Sequence, residues 1–405
     1  MIFTGNSDVK VSILSAHNAY KIYGGEDASR KMELSLLENA GFVCENFFFD
    51  NKDITNFFES LKVIISLNFS KSIYYKLTNL LSSRPIDIAH IHNFFPLLTP
   101  SVFYACQDAN VPVVHTLHNF RTLCPTATLM HNGKICERSL HENCWWTVPK
   151  RVYRNSLIGT AVLAYMVEYH KRKGTWQTQV DRYIALTEFA KNKFIEGGLP
   201  ADKISVKPNF IEDPHKGIEK VVKQGGFALF VGRLSEEKGL SVLLDAWEHV
   251  KYPLKIIGDG PLKALVEKFT AECPQIEYLG FQDKEVILPM MQEADFFVLS
   301  STCYENFPVT LAECFASGTP ALVSNIGGMA EIVTDGKTGL HFEVGNPDSL
   351  AEKAEYLIQH LKEAREMGEN ARLKYLAKYT PGINLEMLLG IYRLTIREKK
   401  GVCHF

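Results

Sequence analysis

Phe227-Ala228-Leu229-Phe230-Val231-Gly232-Arg233-Leu234-Ser235-Glu236-Glu237-Lys238-Gly239 is the stretch whose reading decides the fold. Five apolar residues run into a glycine and a charged turn, and a helical pattern resumes from Leu240 to Val250. A short, near-continuous apolar run suits a strand covered on both faces of a parallel sheet, and strand, turn and helix together make one βα unit. The rhythm continues downstream with Leu254 to Ile257, Phe296 to Leu299 and Ala321 to Val323. It also stands upstream as an earlier series: Val9 to Leu14, Ile86 to Ile91, Val111 to Leu117 and Tyr183 to Leu186. Two series predict two doubly wound parallel sheets, and 405 residues exceed the roughly 100 to 200 that one core usually serves.

Pro208 to Pro214, followed by a charged run up to Gly225-Gly226, reads as the linker between the series. The expected division is 1–212 for the first domain and 213–380 for the second. Pro381-Gly382 opens an amphipathic helix, Ile383 to Lys400, so 381–405 is expected to pack back on the first domain.

The composition, 46% hydrophobic and 22% charged with a formal net charge of -2, excludes a disordered or repetitive chain and a dedicated nucleic-acid binder. Met1 to Lys10 lacks the apolar centre of a secretory signal, and no stretch reaches the roughly 20 apolar residues of a membrane span. A cytoplasmic location follows as the expectation. Nine scattered cysteines read as thiols rather than a disulfide framework. Cys124, Cys136 and Cys144 lie close in sequence, with His131 and His141 between them, but no Cys-x-x-Cys pair is present and no metal is expected.

In an open parallel sheet, ligands bind beyond the carboxyl ends of the strands, so the loops there carry the chemistry. Gly24-Gly25-Glu26 precedes a helical stretch, Ala28 to Asn39, where glycines let backbone N–H groups meet a phosphate; a plain turn explains the same residues. The Gly-x-Gly-x-x-Gly spacing is missing. Gly336-Lys337-Thr338 has the tail of a P-loop, but Glu331 stands where its opening glycine belongs, which removes an NTPase reading. Arg233 and Lys238, five residues apart in a strand-to-helix turn, suit a diphosphate clamp. Gly258-Asp259-Gly260-Pro261 is a tight turn at another strand end. In Glu305-Asn306-Phe307-Pro308-Val309-Thr310-Leu311-Ala312-Glu313, Pro308 fits only a first helical turn, which leaves Glu305 in the loop and Glu313 inside the helix. Carboxylates at these places can accept from sugar and ribose hydroxyls.

These motifs, in this order and over nearly the whole chain, resemble glycosyltransferase family four, whose members have the GT-B fold of two Rossmann-like domains facing a cleft. His115-Thr116-Leu117-His118-Asn119 and Leu123-Cys124-Pro125 are similar to a bacterial branch of it. The resemblance implies that Arg233 and Lys238 hold the donor diphosphate, Glu313 the ribose and Glu305 the sugar hydroxyls. It implies that His118 contacts the transferred sugar from the opposite domain, and it places Gly24, Gly25, Asn209, Gly232, Gly258, Phe307, Pro308 and Val309 at the substrate. Many members carry glycine where Pro308 stands, so a backbone donor toward the sugar is missing here.

The implied activity is retaining transfer of a hexose-type sugar, expected from a uridine diphosphate donor by family habit, to a saccharide or lipid-linked acceptor in cell-surface polysaccharide synthesis, with 1–212 as the acceptor-binding and 213–380 as the nucleotide-sugar-binding domain. No Asp-x-Asp pair is present to hold a divalent metal on the diphosphate, so no metal and no cofactor are expected. Two alternatives remain open on the residues: an epimerase or hydrolase using Glu305 and Glu313, and a non-catalytic nucleotide-sugar-binding protein. Trp145, Trp146, Tyr153 and Trp176, mixed with Lys150, Arg151, Arg154, Lys171, Arg172 and Lys173, suggest a peripheral contact with the inner face of a membrane, against the plainer reading of a solvated helix face.

Overall fold

The computed structural model describes residues 11–21, 24–215 and 225–401. The stretch 1–10, read above for a leader and for the start of the first strand, and the charged run 216–224 lie outside the described residues.

The first half contains β1 (Ser12–Ala19), β2 (Val43–Asp50), β3 (Ile88–Asn93), β4 (Val113–Thr116), the hairpin strands β5 (Met130–His131) and β6 (Lys134–Ile135), β7 (Arg182–Ala185) and β8 (Ile204–Val206). The second contains β9 (Ala228–Val231), β10 (Leu254–Ile257), β11 (Ile276–Tyr278), β12 (Phe296–Leu299), β13 (Ala321–Ser324) and β14 (Gly339–Phe342). They form two six-stranded sheets, ordered β2-β1-β3-β4-β7-β8 and β11-β10-β9-β12-β13-β14, and every recorded pairing within them is parallel. The order reverses beside β1 in the first sheet and beside β9 in the second, and such switch points open a crevice at the strand ends.

The expected strand cores are present, with two informative differences. β1 continues past Leu14 through Ser15, His17 and Asn18, all buried. A search for apolar runs stops where the strand turns polar, and that polar end faces the site. The edge strands β2, β8, β11 and β14 escaped the reading because they are short or carry polar residues in a mixed pattern, as in Val43-Cys44-Glu45-Asn46.

Alternation along β9 explains how the second sheet is covered. Ala228 and Phe230 pack with Leu243, Leu244 and Trp247 on one face, while Leu229 and Val231 pack with Leu311 and Phe315 on the other. In the first sheet, Leu14 and Ile91 join Phe103 and Trp176 in the larger core. Its opposite face receives the last helix, Pro381–Lys400, whose Leu388, Leu389, Tyr392 and Ile396 meet Ile13, Ile88, Val114 and Ile184. Pro381 begins this helix and Gly401, at φ 73°, ends it. Arg182 to Glu398 at 2.6 Å and Lys399 to Asp181 at 3.0 Å fasten its far end. The chain thus returns from the second half to close the first. Among the described residues no helix is long and apolar enough to cross a membrane.

Leu388 is completely buried against the first sheet. Leu388→Ala is expected to cost about 2–5 kcal/mol. The loss should show as a lower urea midpoint for the transition that carries this sheet; an unchanged midpoint would mean that the helix contributes nothing to it.

Candidate active site

The loops after β9 and β12 meet at the switch point of the second sheet. Gly239 shapes the first: its φ is +63°, and a Cβ there would lie 1.8 Å from the Ser300 carbonyl oxygen, so only glycine lets the loops close together. Lys238 Nζ then reaches Glu305 Oε1 at 2.5 Å, and Ser301 Oγ donates to the same oxygen at 2.9 Å. Burial alone would lower the Lys238 pKa, but Glu305, Cys303 and Glu237 together outweigh burial and raise it, so the lysine stays an ammonium. Three donors are available on that ammonium and Glu305 uses one of them. Arg233, in the same turn, is exposed and makes no side-chain hydrogen bond or ion pair among the described residues.

The Glu305 loop is held from below by Gly327 and Gly328, which the sequence reading did not single out. The Gly328 N–H donates to the Glu305 carbonyl at 2.9 Å, and a Cβ on Gly328 would lie 2.5 Å from that oxygen and 2.6 Å from the Asn306 carbonyl. Phe307 turns into the core and meets Tyr379 edge-on at 5.4 Å between ring centroids. Its side chain is therefore an anchor rather than a wall of the site. Pro308 does not enter the first helical turn as expected; it is the N-cap, extended at ψ 115°, and the helix runs Val309–Ala316. A ring without an N–H costs nothing at that position because the N-cap N–H bonds to no residue of the helix. Glu313 lies inside the helix, buried, with its carboxylate 2.6 Å from Lys284 Nζ rather than joined to the Lys238 pair. Gly232 and Gly258 sit back to back: a Cβ on Gly258 would lie 1.9 Å from the Gly232 carbonyl oxygen.

The first sheet brings its own strand ends to the same gap. Asn306 Nδ2 donates across it to the His118 carbonyl at 3.0 Å. A Cβ on Gly25, the first residue of the helix Gly25–Asn39, would touch Val309 Cγ2 at 3.7 Å. Gly24 contributes less than expected as an anion ligand, since its N–H already donates to Asp27 Oδ2 at 3.0 Å. Asn209 is buried in the segment after β8, and no side-chain hydrogen bond ties it to the others among the described residues. His118, Gly25, Val309, Lys238 and Glu305 are thus gathered at facing strand ends, while Glu313 and Asn209 have other surroundings.

Glu26 was quoted in its motif but given no role, and the structure gives it a distinctive setting. Its Oε2 accepts from Tyr20 OH at 3.1 Å and from Asn119 Nδ2 at 3.3 Å, and its Oε1 is buried with no partner among the described residues. Burial pushes its pKa up to about 8; Asp27 adds to the rise, while Tyr20, Asn119 and Arg121 oppose it. Near neutral pH this carboxyl is largely protonated.

Cys124, Cys136 and Cys144 do not bring three ligand atoms within 4.8 Å of one another, so the zinc arrangement considered from sequence is not formed. Among the described residues two other groups do come that close: Glu137, His141 and Glu196, which are solvent-accessible, and Glu33, His90 and His92, which are buried. Lys207 already lies 2.9 Å from Glu33 and supplies that cluster's positive charge.

Two facing parallel α/β domains whose switch-point loops meet across a gap define the GT-B architecture. Family models described as "Glycosyltransferase Family 4" and "Glycosyl transferases group 1" match residues 63–213 and 212–374, and together they run without a break from residue 63 to residue 374. The chain belongs to this glycosyltransferase family, and it is a transferase. It is similar to an uncharacterized glycosyltransferase of Methanocaldococcus jannaschii, 26% identical over 77% of each chain. It is also similar to the phosphatidyl-myo-inositol mannosyltransferase of Mycobacterium leprae, 25% identical over 73% of this chain and 71% of that one. Among solved structures, Anabaena HepE in complex with UDP superposes with a TM-score of 0.63 at 16% identity, covering 95% of this chain and 99% of HepE, a likeness of fold.

Glu26 yields a pH prediction. Its folded pKa lies above that of an unfolded glutamate, so its contribution to stability is full below pH 4.5 and is lost as pH rises toward 8. Glu26→Gln is expected to flatten this slope, so that the fall in urea midpoint between pH 5 and pH 8 is smaller than in the unsubstituted protein. An equal fall in both would show that Glu26 ionises normally.

Proposed function

We propose that the chain is a retaining glycosyltransferase that moves a hexose-type sugar from a nucleotide diphosphate donor, uridine-linked, to a saccharide or lipid-linked acceptor in cell-surface polysaccharide synthesis, with neither metal nor cofactor. The observation that carries this reading is the Lys238–Glu305 pair at the switch point, with the exposed Arg233, unpaired among the described residues, in the same turn. Cleavage of the sugar–phosphate bond puts negative charge on the departing diphosphate and positive charge on the anomeric carbon. Arg233 and the two remaining Lys238 donors neutralise the former, the work a divalent metal would otherwise do. Glu305 accepts from sugar hydroxyls while orienting Lys238. His118 contacts the sugar from the opposite side of the gap, and the acceptor attacks on the face the leaving group vacates, which preserves configuration. UDP in the HepE complex supports uridine as the donor base, and the M. leprae relative supports a lipid-linked acceptor.

A second feature supports a working position on the inner face of a membrane. The helices Phe57–Ser66 and Leu157–Lys173 leave Ile65 75% and Ile158 66% exposed, and Ile65, Trp145 and Tyr165 line an apolar groove of about 350 Å³. Arg151, Arg154, Arg172 and Lys173 are exposed on the same stretch of chain, as an anionic headgroup layer requires. Trp176, grouped with these residues in the sequence reading, belongs instead to the core at 1% exposure.

Purified protein with UDP-sugars or GDP-sugars and EDTA is expected to release UDP from one donor. In that assay, Lys238→Ala should lower turnover about ten- to a hundredfold, the worth of a charge-assisted contact; undiminished turnover in the folded variant would remove Lys238 from the diphosphate. In flotation with vesicles rich in anionic lipid the protein should rise with the lipid, and Ile65→Ser with Ile158→Ser should leave it at the bottom. A wild-type protein that stays at the bottom would end the membrane reading.

A further inference from the structure

A line of buried polar contacts leads away from His118 into the first half. His118 Nε2 lies 3.2 Å from His92 Nδ1, and the two rings stack with centroids 5.5 Å apart. The other nitrogen of His92, Nε2, lies 3.3 Å from Glu33 Oε1. Glu33 Oε2 in turn accepts from Lys207 Nζ at 2.9 Å, and Lys207 is fixed by Asn384 Oδ1 at 2.9 Å. All four partners behind His118 are buried.

The protons along this line follow from chemistry. Burial would raise the Glu33 pKa, but Lys207 and the neighbouring histidines outweigh it and hold the carboxyl well below its usual range, so it is a carboxylate that can only accept. A bare nitrogen at 3.3 Å from it would set lone pair against charge, so His92 carries its proton on Nε2. Burial, followed by the nearby His90, holds the His92 pKa well below its usual value, so the ring is neutral and its Nδ1 is bare. A bare Nδ1 at 3.2 Å from His118 Nε2 must receive a proton, and His118, neutral by burial, has one to give. Its own Nδ1 is then bare. That atom has no protein partner among the described residues, and unlike Nδ1 of His17 it is not an orphaned buried atom. The His118 carbonyl is clasped by Asn306 from the opposite half, which keeps the residue at the gap.

We propose that Lys207, Glu33 and His92 are positioning residues that lock His118 as its Nε2–H tautomer, so that Nδ1 faces the gap as an acceptor for a hydroxyl of the transferred sugar. The substrate half of this statement rests on the proposed function; the tautomer does not. The opposite tautomer would offer a donor, and a sugar whose hydroxyl is replaced by a methoxy group, an acceptor alone, would then still be bonded. With the acceptor fixed, a sugar deoxygenated at the contacted position leaves Nδ1 unsatisfied and is rejected. This is the role that outer partners play for histidines elsewhere, setting which nitrogen is free by bonding the other.

The direct test is long-range proton–nitrogen NMR of the full chain labelled with nitrogen-15 histidine and free of substrate, with His118 assigned by the signals lost in His118→Gln. The expected spectrum shows His118 protonated at Nε2 and bare at Nδ1. In His92→Phe the ring should drift to a mixture, and in His92→Asn, whose amide oxygen can accept from His118, the tautomer should be retained. Donor turnover should fall about tenfold in His92→Phe and recover in part in His92→Asn. A wild-type His118 protonated at Nδ1, or an unaltered tautomer in folded His92→Phe, overturns the proposal whatever the activity. The expected tautomer with undiminished turnover in His92→Phe overturns its substrate half and leaves the transferase reading standing.

Discussion

Lys207 is an ammonium at 2% exposure, and much of the first half is arranged so that it can exist. An unpaired charge in such a place is not tolerated, and removing one member of a buried pair typically costs about 3–5 kcal/mol. Glu33 comes from the helix Gly25–Asn39, Lys207 from the end of β8, and Asn384 from the helix that returns after the second domain. Three segments far apart in sequence are thus required to converge on one charge. Asn384 also donates to the Pro208 carbonyl at 2.6 Å, so the strand leaving for the second half is fixed where it departs. Tyr392, from the same last helix, places its hydroxyl 2.8 Å from His90. The returning helix is therefore not only an apolar cover; it completes a polar centre that would otherwise be unsatisfied.

The same arrangement separates two kinds of electrostatics at the gap. On the side of the second sheet, Lys238 is kept charged by Glu305 beside it, and Arg233 is open to water. On the side of the first sheet, His92 and His118 are kept neutral by burial, and Glu26 largely protonated. One wall carries fixed cations, and the other carries neutral hydrogen-bonding groups. A substrate with an anionic leaving group and a polyhydroxylated ring matches that division.

The fold was largely legible because its parallel strands are buried on both faces and advertise themselves as apolar runs, as Phe227 to Val231 and Phe296 to Leu299 do. The turn residues Arg233, Lys238 and Glu305 were legible because they follow such runs directly. Around the first sheet's end of the gap, what escaped was polar groups buried by mutual satisfaction rather than by apolarity. His17, His92 and Asn18 sit at strand ends that hydrophobicity cannot flag, and Glu33 on its helix reads from sequence like any surface glutamate. Lys207 has no local signal at all, since only the fold brings its partners to it. Pro308 was misplaced by one residue because proline is acceptable on both sides of a helix start.

Glu331 offers one more consequence. Its two carboxylate oxygens accept from the N–H groups of Glu188 and Phe189 at 3.0 and 2.7 Å, so a side chain from the second half caps a helix of the first, Glu188–Glu196. Tyr304, which hydrogen-bonds Glu137 at 2.7 Å, makes a similar bridge. Both sit near solvent, where water replaces a lost partner and each such bond is worth only about 0.5–1.5 kcal/mol net. A cap of this sort is a latch rather than a weld. Because its pull is that of a charge on a helix dipole, dissolved ions weaken it, and the grip of one half on the other at this point slackens as ionic strength rises.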